Sequence, residues 1–421
     1  MGRSCGRFNA LGRSVLFFGL VAGIAVAMAG RGNAAVPVLD ETGQPGSPFS
    51  TDSAPKSWLT AAANNWMGAL PDSTKLGTMS IPGTHDSGAM YGGLAVQAQS
   101  WTIAEQLQAG IRYLDIRARR TKQSFAIHHG SFYQKQMFGD VMNTVIAFLR
   151  AHPTETVLMR VKDEYDAEKG SQSFADIWAG YMTRYGSYVY KGNGTFPTLG
   201  QIRGKILVLR NADFSGYGVT YSENTIQDHY EVYFLAHKMV NGTKVSLPSK
   251  KDEVAKYLDL AATSQTGKLV LNHLSGAVGM APKDVARATD NAAFDHIGPY
   301  KGRKTLGVVI MDFPGDQMVY RIIKSNFTFS GSCPAKTFRS VSAHSWVEFR
   351  LPQATQGRVI EIAGAAYNKY AGAKCNRVHW SDLSFLCGSN SQWARTKGSW
   401  DSDALCHGSK GSSPYVAVGD R

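Results

Sequence analysis

Between about residue 58 and residue 328, short apolar runs alternate with longer amphipathic segments, and this alternation constrains the fold more than any other sequence feature. The short runs are β-rich and almost continuously apolar, which is typical of strands covered on both faces. Strands that alternate with helices predict βα units and a parallel sheet. About seven or eight such units favour a distorted TIM (β/α)8-type barrel over a small doubly wound sheet.

The segments before this region differ from it in composition. Residues 1–35 carry four arginines, no acidic residue and a 15-residue apolar run, which predicts a secretory signal peptide cleaved after Ala29 or Ala35. The run is short for a membrane span, so an uncleaved anchor is the less favoured alternative. Residues 36–57 are rich in Pro, Gly, Ser and Thr and predict a linker or extended arm. We assign the barrel to residues 58–330.

Residues 331–421 are rich in Trp and hold every cysteine that lies beyond the signal segment. In a secreted chain, four cysteines predict two disulfides, with three connectivities open. Their spacing lacks the paired C-x-x-C pattern of a zinc site. We therefore expect a small, β-rich, disulfide-stapled domain, whose role stays open. The cysteines are Cys333, Cys375, Cys387 and Cys406.

The chain is basic throughout. Its formal charge is +13, and removal of residues 1–35 leaves +9. A basic secreted protein suits nucleic acid, anionic lipid or acidic glycan, and charge alone does not choose among them. At an anionic membrane, each Lys or Arg contributes about 1 kcal/mol to binding. The basic residues are dispersed, without the aromatic interleaving of single-strand binders, so we expect no nucleic-acid partner.

An adjacent pair, His85-Asp86, stands on the glycine-flanked turn SIPGTHDSG, and taken alone it fits a catalytic base, a metal-ligand pair or a helix cap. Further polar residues end one predicted strand after another, where a parallel barrel forms its active-site rim. Two histidines can act as general base and acid, an arginine can hold a phosphate, and a carboxylate can orient a histidine. Together these groups predict metal-free phosphodiester cleavage by a neighbouring hydroxyl. The set is His85, Asp86, Asp115, Arg117, His129 and Asp312.

Seven motifs occur in the order found in bacterial-type phosphatidylinositol-specific phospholipase C, and the chain resembles that family over residues 60–328. Single motifs such as HHG are weak. The ordered set is specific, with 32 residues from His85 to Arg117 and 12 from Arg117 to His129. The motifs are SIPGTHDSG, GIRYLDIRAR, FAIHHG, ETVLMRVKDEY, GKILVLRN, IQDHY and IMDFPG.

The resemblance implies a distorted TIM barrel that cleaves phosphatidylinositol in two steps. The inositol 2-hydroxyl attacks the phosphate, which releases diacylglycerol and gives inositol 1,2-cyclic phosphate, and slow hydrolysis of the cyclic product can follow. By the same resemblance, His85 is the base and Asp312 its orienting partner. His129 is the acid, assisted by Asp86.

Arg117 decides the expected cofactor. The resemblance implies that Arg117 binds a non-bridging phosphate oxygen, with Asp115 as a supporting carboxylate. Calcium-dependent relatives place an acidic ligand where Arg117 stands, and a guanidinium there supplies the positive charge itself and repels a cation. The sequence also lacks an H-E-x-x-H motif and clustered carboxylates for zinc or calcium. We expect no metal and no other cofactor.

Four more residues match positions at which the family binds the inositol ring. Charged groups suit the ring hydroxyls, because an unpaired buried polar atom costs about 1–3 kcal/mol. An aromatic side chain suits the apolar face of the ring. Two alternatives stay open: Lys162 can be a strand-end lysine that reaches solvent, and Tyr230 can pack in the core. The four residues are Lys162, Arg210, Asp228 and Tyr230.

The sequence thus predicts a secreted, metal-independent phospholipase C that acts on phosphatidylinositol at a lipid surface. Glycosyl-phosphatidylinositol-anchored proteins stay open as substrates, since they expose the same inositol phosphate, and we expect a monomer. The alternatives are a barrel phosphodiesterase for another phospholipid or glycerophosphodiester headgroup, which Arg117 opposes, and a catalytically silent lipid- or glycan-binding protein. His128 and His273 are expected to be structural.

Overall fold

The computed structural model describes the chain from residue 46, with short internal gaps, and beyond residue 329 it describes strands alone. The predicted signal segment, residues 1–35, lies outside the described residues, as do Cys333, Cys375 and Cys406. Cys387 ends a described strand, but its side chain is not described, so the disulfides stay a prediction. The described ranges are 46–192, 195–230, 237–240, 243–246, 249–264, 267–277, 280–298, 303–329, 350–351, 358–361, 383–387, 392–396 and 415–418.

Helices and strands alternate over much of residues 57–329, as the sequence pattern predicts, but residues 113–137 and 206–246 hold consecutive strands with no described α-helix between them. The helices are α1 (Ser57–Ala63), α2 (Ile103–Gln108), α3 (Phe138–Ala151), α4 (Phe174–Tyr185), α5 (Leu199–Ile202), α6 (Lys250–Thr263), α7 (Pro282–Ile297) and α8 (Asp316–Lys324). The strands up to this point are β1 (Ser80–Thr84), β2 (Tyr113–Thr121), β3 (Ser124–His129), β4 (Phe132–Met137), β5 (Val157–Asp163), β6 (Ile206–Asn211), β7 (Val219–Thr220), β8 (Thr225–Gln227), β9 (His237–Val240), β10 (Thr243–Ser246), β11 (Val270–His273), β12 (Gly307–Met311) and β13 (Thr328–Phe329).

Within the described residues, the central sheet has eight parallel strands in the order β7-β6-β5-β2-β1-β12-β11-β8. Strand β1 pairs with both β2 and β12, so the first and last strands are neighbours and the sheet curls on itself. No ladder joins β7 to β8 in the described part of the chain, so one side stays open. The predicted distorted TIM-type α/β fold is confirmed at this level. We call the carboxyl ends of these strands, with the segments that follow them, the rim.

Strand β3, the FAIHH segment, departs from the parallel pattern in which the sequence placed it. It runs antiparallel to β2, with Thr121 paired to Ser124, and β4 then runs antiparallel to β3, with His129 paired to Phe132. Two residues, Lys122-Gln123, connect β2 to β3, and a crossover between parallel strands needs about a dozen. The short connection therefore dictates a hairpin that extends β2 beyond the rim.

The core lies on both sides of the sheet. Strands β1, β11 and β12 are buried along their whole length, because helices cover the outer face. Helix α2 begins with a capping box between Thr102 and Glu105.

Just before β2 and β5, Arg112 and Glu155 form a fully buried ion pair, with 2.8 Å between Arg112 Nη2 and Glu155 Oε2. This pair lies at the end of the barrel opposite the rim.

The described part of the predicted arm packs on the barrel. Phe49 pairs with Pro314 in a short antiparallel bridge, and the Lys56 amide donates to Asp316 Oδ1 at 2.7 Å.

Towards the other terminus, β13 pairs with β15 and β15 with β18, while β14 and β17 flank β16. None of the described helices is long and apolar enough to cross a membrane. The later strands are β14 (Arg350–Leu351), β15 (Arg358–Glu361), β16 (Leu383–Cys387), β17 (Gln392–Thr396) and β18 (Tyr415–Val418).

Candidate active site

The turn after β1 carries His85 and Asp86 and is tied to both neighbouring strands. The His85 amide donates to the Met311 carbonyl at 2.8 Å, and the Ser87 amide donates to the Asp115 carbonyl at 2.9 Å. Asp86 has a φ of 41°, a left-handed conformation that Asp tolerates better than most residues. The turn therefore points two adjacent side chains in different directions at the rim.

Buried polar side chains hold this turn from below. Thr84 Oγ1 donates to Gln106 Oε1 at 2.8 Å, and Gln106 Nε2 donates to the Ser87 carbonyl at 2.9 Å. Ser87 Oγ accepts from the Asp115 amide at 2.8 Å. A satisfied buried network of this kind restricts the turn to one geometry. The sequence analysis missed Gln106, because its role depends on how α2 packs beneath β1.

His85 lies between a carboxyl group and a guanidinium. Its Nδ1 is 2.8 Å from Asp312 Oδ1, and its Nε2 is 2.6 Å from Arg117 Nη2. Because Arg117 can only donate, Nε2 must accept and the ring proton lies on Nδ1. Burial and then Arg117 hold the pKa of His85 well below its usual value, and burial raises the pKa of Asp312 to about 8. The pair therefore presents a neutral imidazole whose Nε2 lone pair is directed at Arg117 Nη2, the group that a substrate hydroxyl must displace to reach it.

Arg117, at the rim end of β2, is surrounded by acidic side chains. Its Nε lies 3.4 Å from Asp86 Oδ2 and 3.4 Å from Asp115 Oδ2, and its Nη1 lies 3.4 Å from Glu164 Oε1. Burial opposes the charge of Arg117, but Asp86 and Asp115 outweigh burial and raise its pKa. Arg117 is therefore a fixed positive charge in contact with His85.

His129 reaches the same centre from β3. Its Nδ1 lies 2.7 Å from the Val96 carbonyl and 3.4 Å from Asp86 Oδ2. A carbonyl accepts, so Nδ1 carries a proton and the other nitrogen, Nε2, is the one that titrates. Burial and Arg117 lower the pKa of His129, and burial raises that of Asp86 despite the opposing Arg117. All six catalytic candidates thus meet in one cluster at the rim.

The predicted ring-binding residues are more scattered. Lys162 lies on β5 beside Arg117, and its Nζ contacts Glu164 Oε2 at 2.6 Å. Arg210 donates to the carbonyl groups of Tyr217 and Gly218 and to Thr220 Oγ1. Register places Asn211, not Arg210, in line with Lys162 and Arg117. Asp228 and Tyr230 follow β8, and Tyr230 is 59% exposed.

Several side chains at the centre were not singled out or were given a minor role by the sequence analysis. Arg160 on β5 and Glu164 just beyond its end flank Lys162 at two-residue spacing, so the alternation of a strand would have placed all three on one face. His273, expected to be structural, is buried with its ring 5.9 Å from that of His85. His128, also expected to be structural, is buried beside Tyr133.

The described residues contain no group of three or more His, Cys, Asp or Glu side chains arranged to hold a metal ion. Three of the acidic side chains at the centre instead surround Arg117. They are Asp86, Asp115 and Glu164.

Comparisons with known proteins place this arrangement in a family. The model of the phosphatidylinositol-specific phospholipase C X domain matches residues 74–212. A 1-phosphatidylinositol phosphodiesterase of Listeria monocytogenes is 32% identical over 292 residues, which cover 63% of this chain and 86% of the relative. The chain belongs to the phosphatidylinositol-specific phospholipase C family. The family assignment that the ordered motifs predicted is therefore confirmed.

Two further comparisons agree with this membership. A 1-phosphatidylinositol phosphodiesterase of Staphylococcus aureus strain Newman is 28% identical over 316 residues, which cover 64% of this chain and 96% of the relative. The solved structure of the phosphatidylinositol-specific phospholipase C from Listeria monocytogenes matches with a TM-score of 0.52 at 30% identity, and the match covers 62% of this chain and 98% of that one.

Proposed function

We propose that the protein is a secreted phospholipase C that cleaves phosphatidylinositol to diacylglycerol and inositol 1,2-cyclic phosphate. The observation that carries this proposal is the neutral His85 in contact with Arg117, with His129 on the far side of Asp86. The relatives from Listeria monocytogenes and Staphylococcus aureus are 1-phosphatidylinositol phosphodiesterases, which supports the same substrate.

The first chemical step is attack by the inositol 2-hydroxyl. His85 Nε2 takes the hydroxyl proton, and the oxygen forms a bond to phosphorus. Asp312, 2.8 Å from Nδ1, stabilises the imidazolium that results. The bond from phosphorus to the glycerol oxygen breaks, and His129 Nε2 gives its proton to that oxygen. The cyclic product and diacylglycerol leave, and the two histidines have exchanged protonation states.

Arg117 supplies the positive charge of this reaction. The non-bridging oxygens of the phosphate gain negative charge in the transition state, and a fixed guanidinium in a buried site stabilises that charge. Its pKa is raised by Asp86 and Asp115, so it remains charged at every working pH. We propose that the enzyme needs no metal, because Arg117 already lies among the carboxylates that a cation would use.

Exposed apolar side chains favour a lipid surface as the partner. Seven of the large ones in the described residues lie in segments that run from the carboxyl end of a barrel strand to the next helix. Two of the tyrosines make cation–π contacts. Lys135 Nζ lies 4.3 Å from the centre of the Tyr91 ring, and Arg119 Cζ lies 5.2 Å from the centre of the Tyr165 ring. Aromatic and basic side chains together suit the headgroup region of a bilayer. The seven are Tyr91, Leu94, Phe132, Tyr133, Tyr165, Tyr230 and Met280.

Phosphorus NMR tests the reaction and its metal independence in one experiment. The mature protein is incubated with phosphatidylinositol micelles in the presence of a chelator. We expect inositol 1,2-cyclic phosphate to accumulate before any inositol phosphate. Binding without any product would support a silent lipid-binding protein, and activity that the chelator abolishes would overturn the metal-independent mechanism. Release of a glycosyl-phosphatidylinositol-anchored protein from membranes tests the second substrate class.

A further inference from the structure

Arg160 is a buried cation next to the candidate centre, and the mechanism above does not use it. It lies on β5 directly beside Asp115 on β2 and is 5% exposed. Its Nη1 is 3.4 Å from Asp115 Oδ1. A buried charge is costly unless it is paired, so its retention at this position needs an explanation.

Neighbouring side chains hold most of the Arg160 guanidinium in place. Its Nε and Nη2 donate to Asn211 Oδ1 at 2.9 and 2.6 Å, and its Cζ lies 4.2 Å from the centre of the Tyr221 ring. Tyr221 is itself held by His273, with 3.0 Å between Oη and Nε2. Among the described residues, Nη1 makes no hydrogen bond and is directed at Asp115, so Arg160 acts on the centre through its charge on Asp115.

Asp115 connects the parts of the candidate centre. Its Oδ2 accepts from the Asp86 amide at 3.1 Å, at the residue with positive φ, and lies 3.4 Å from Arg117 Nε. Burial alone would raise the pKa of Asp115, but Arg160 and Arg117 outweigh burial and keep it below its usual value. With Arg160 on Oδ1, the negative charge of Asp115 is balanced without relying on Arg117 alone.

We propose that Arg160 is a positioning residue that neutralises Asp115 from behind and so leaves the Arg117 guanidinium free to hold the phosphate. This inference rests on the proposed function of Arg117. Without Arg160, Asp115 would either bind a proton and release Arg117, or draw Arg117 towards itself. Either change moves the positive charge away from the position that the transition state requires.

The experiment is a double-mutant cycle on the mature enzyme with phosphatidylinositol micelles. We expect Arg160→Gln to lower kcat about 10-fold, within the range for coupled residues of one network, and to leave KM within about twofold. Arg160→Lys should restore part of the loss. Because Arg160 acts through Asp115, the Asp115→Asn/Arg160→Gln enzyme should be no slower than Asp115→Asn alone. Losses that multiply, or a change confined to KM, would show direct contact with substrate and overturn the proposal.

Arg120→Gln is the matched control. Arg120 also joins β2 to β5, with its Nη2 3.2 Å from Asp163 Oδ2, but this pair is partly exposed and lies beyond the centre. The kcat of Arg120→Gln should therefore match that of the wild type. If Arg160→Gln does not fold, Asn211→Ala provides the test, since it keeps the charge of Arg160 and removes the amide that orients it. We expect Asn211→Ala to lower kcat by less than the factor expected for Arg160→Gln. An unchanged kcat in Asn211→Ala would contradict the proposal.

Carbon-13 NMR of the Asp115 carboxyl separates this inference from the proposed function, because it needs no turnover. Replacement of Arg160 by Gln should raise the pKa of Asp115, and an unchanged pKa would overturn the inference even if the wild-type enzyme is active. Conversely, a raised pKa in a protein without activity would contradict only the proposed function. The other charged or titratable groups that interact with Asp115 are the same in both proteins and include Arg117, His85, His273, Asp86, Asp312, Tyr113 and Tyr221.

Discussion

The two histidines differ in what their Nδ1 atoms contact, and this difference assigns their roles. His85 Nδ1 faces the Asp312 carboxyl group, whereas the nearest acceptor of His129 Nδ1 is the Val96 carbonyl. Although burial raises the pKa of Asp312 to about 8, its ionised form stabilises an imidazolium far more than a neutral carbonyl does. His85 is therefore suited to gain a proton during the reaction, and His129 to lose one.

Replacement of either histidine by alanine should lower kcat on phosphatidylinositol by at least about 100-fold, the lower end for general acid–base catalysis. The two variants should differ on an inositol phosphate ester of 4-nitrophenol. Its leaving group needs no proton, so His129→Ala should recover much of its rate while His85→Ala should not. Release of nitrophenol measures both. Equal recovery in the two variants would reverse or remove the assigned roles.

The pH dependence of kcat/KM should be a narrow bell, because the working forms of two groups overlap little. His129 must be protonated to act as the acid, and burial and Arg117 lower its pKa, so activity should already fall as the pH rises towards neutrality. Asp312 must be ionised to stabilise the His85 imidazolium, and burial raises its pKa to about 8, so activity should also fall as the pH is lowered. His85 must be neutral, and its lowered pKa keeps it so across this range. A bound phosphate offsets the charge of Arg117, so kcat should fall at a higher pH than kcat/KM. A broad plateau of kcat/KM through neutrality would contradict this assignment.

At the level of single strands, the register of β5 and β6 decides which side chains face the centre. Arg117, Lys162 and Asn211 are side-by-side partners, whereas Arg210 is paired with Val161, which is buried beneath the outer helices. Partners in a parallel sheet point to the same face. Arg210 instead binds the segment after β6 through Tyr217.

Arg210→Ala and Lys162→Ala should therefore have different effects. Arg210→Ala removes hydrogen bonds to two buried or half-buried carbonyls, so we expect the free energy of unfolding to fall by about 1–3 kcal/mol. Its KM for phosphatidylinositol should change little. Lys162→Ala should raise KM with little change in stability. Urea denaturation and steady-state kinetics check both, and a large rise in KM for Arg210→Ala would return it to the ring pocket.

The sequence predicted the strands and helices of the barrel because their hydrophobic patterns are local. It also predicted that the six candidates meet, since residues at the carboxyl ends of parallel strands lie at one rim, although His129 reaches the rim from antiparallel β3. It did not predict that β3 is antiparallel, although the two-residue connection was visible. Nor did it predict the pairing of Arg160 with Asp115, which depends on the register of β2 against β5. Register is a long-range property that no single segment encodes.

At the scale of the whole molecule, the rim should be the surface that meets the membrane. Leu94→Ala and Phe132→Ala each remove an exposed apolar side chain from the rim and should weaken binding to phosphatidylinositol-containing vesicles. Hydrolysis of soluble inositol 1,2-cyclic phosphate should be unchanged, because neither side chain lies in the candidate centre. Leu260→Ala is the matched control, since Leu260 is also exposed but lies on α6. Equal loss of vesicle binding in all three variants would exclude the rim as the docking surface.

The opposite end of the barrel should determine stability rather than catalysis. Glu155 accepts hydrogen bonds from the amides of Met67 and Gly68 and pairs with Arg112, all of them buried. Glu155→Gln leaves the Arg112 charge uncompensated in the interior, so we expect the free energy of unfolding to fall by about 3–5 kcal/mol.

The control for this change is Glu168→Gln, which breaks an exposed pair with Lys122 and should cost less than about 1 kcal/mol. Urea denaturation measures both losses. The kcat of folded Glu155→Gln should match that of the wild type, because Glu155 precedes β5, at the end of the barrel opposite the reacting groups. A fall in kcat without a loss of stability would mean that the two ends of the barrel are coupled, and that Glu155 acts on the centre through β5.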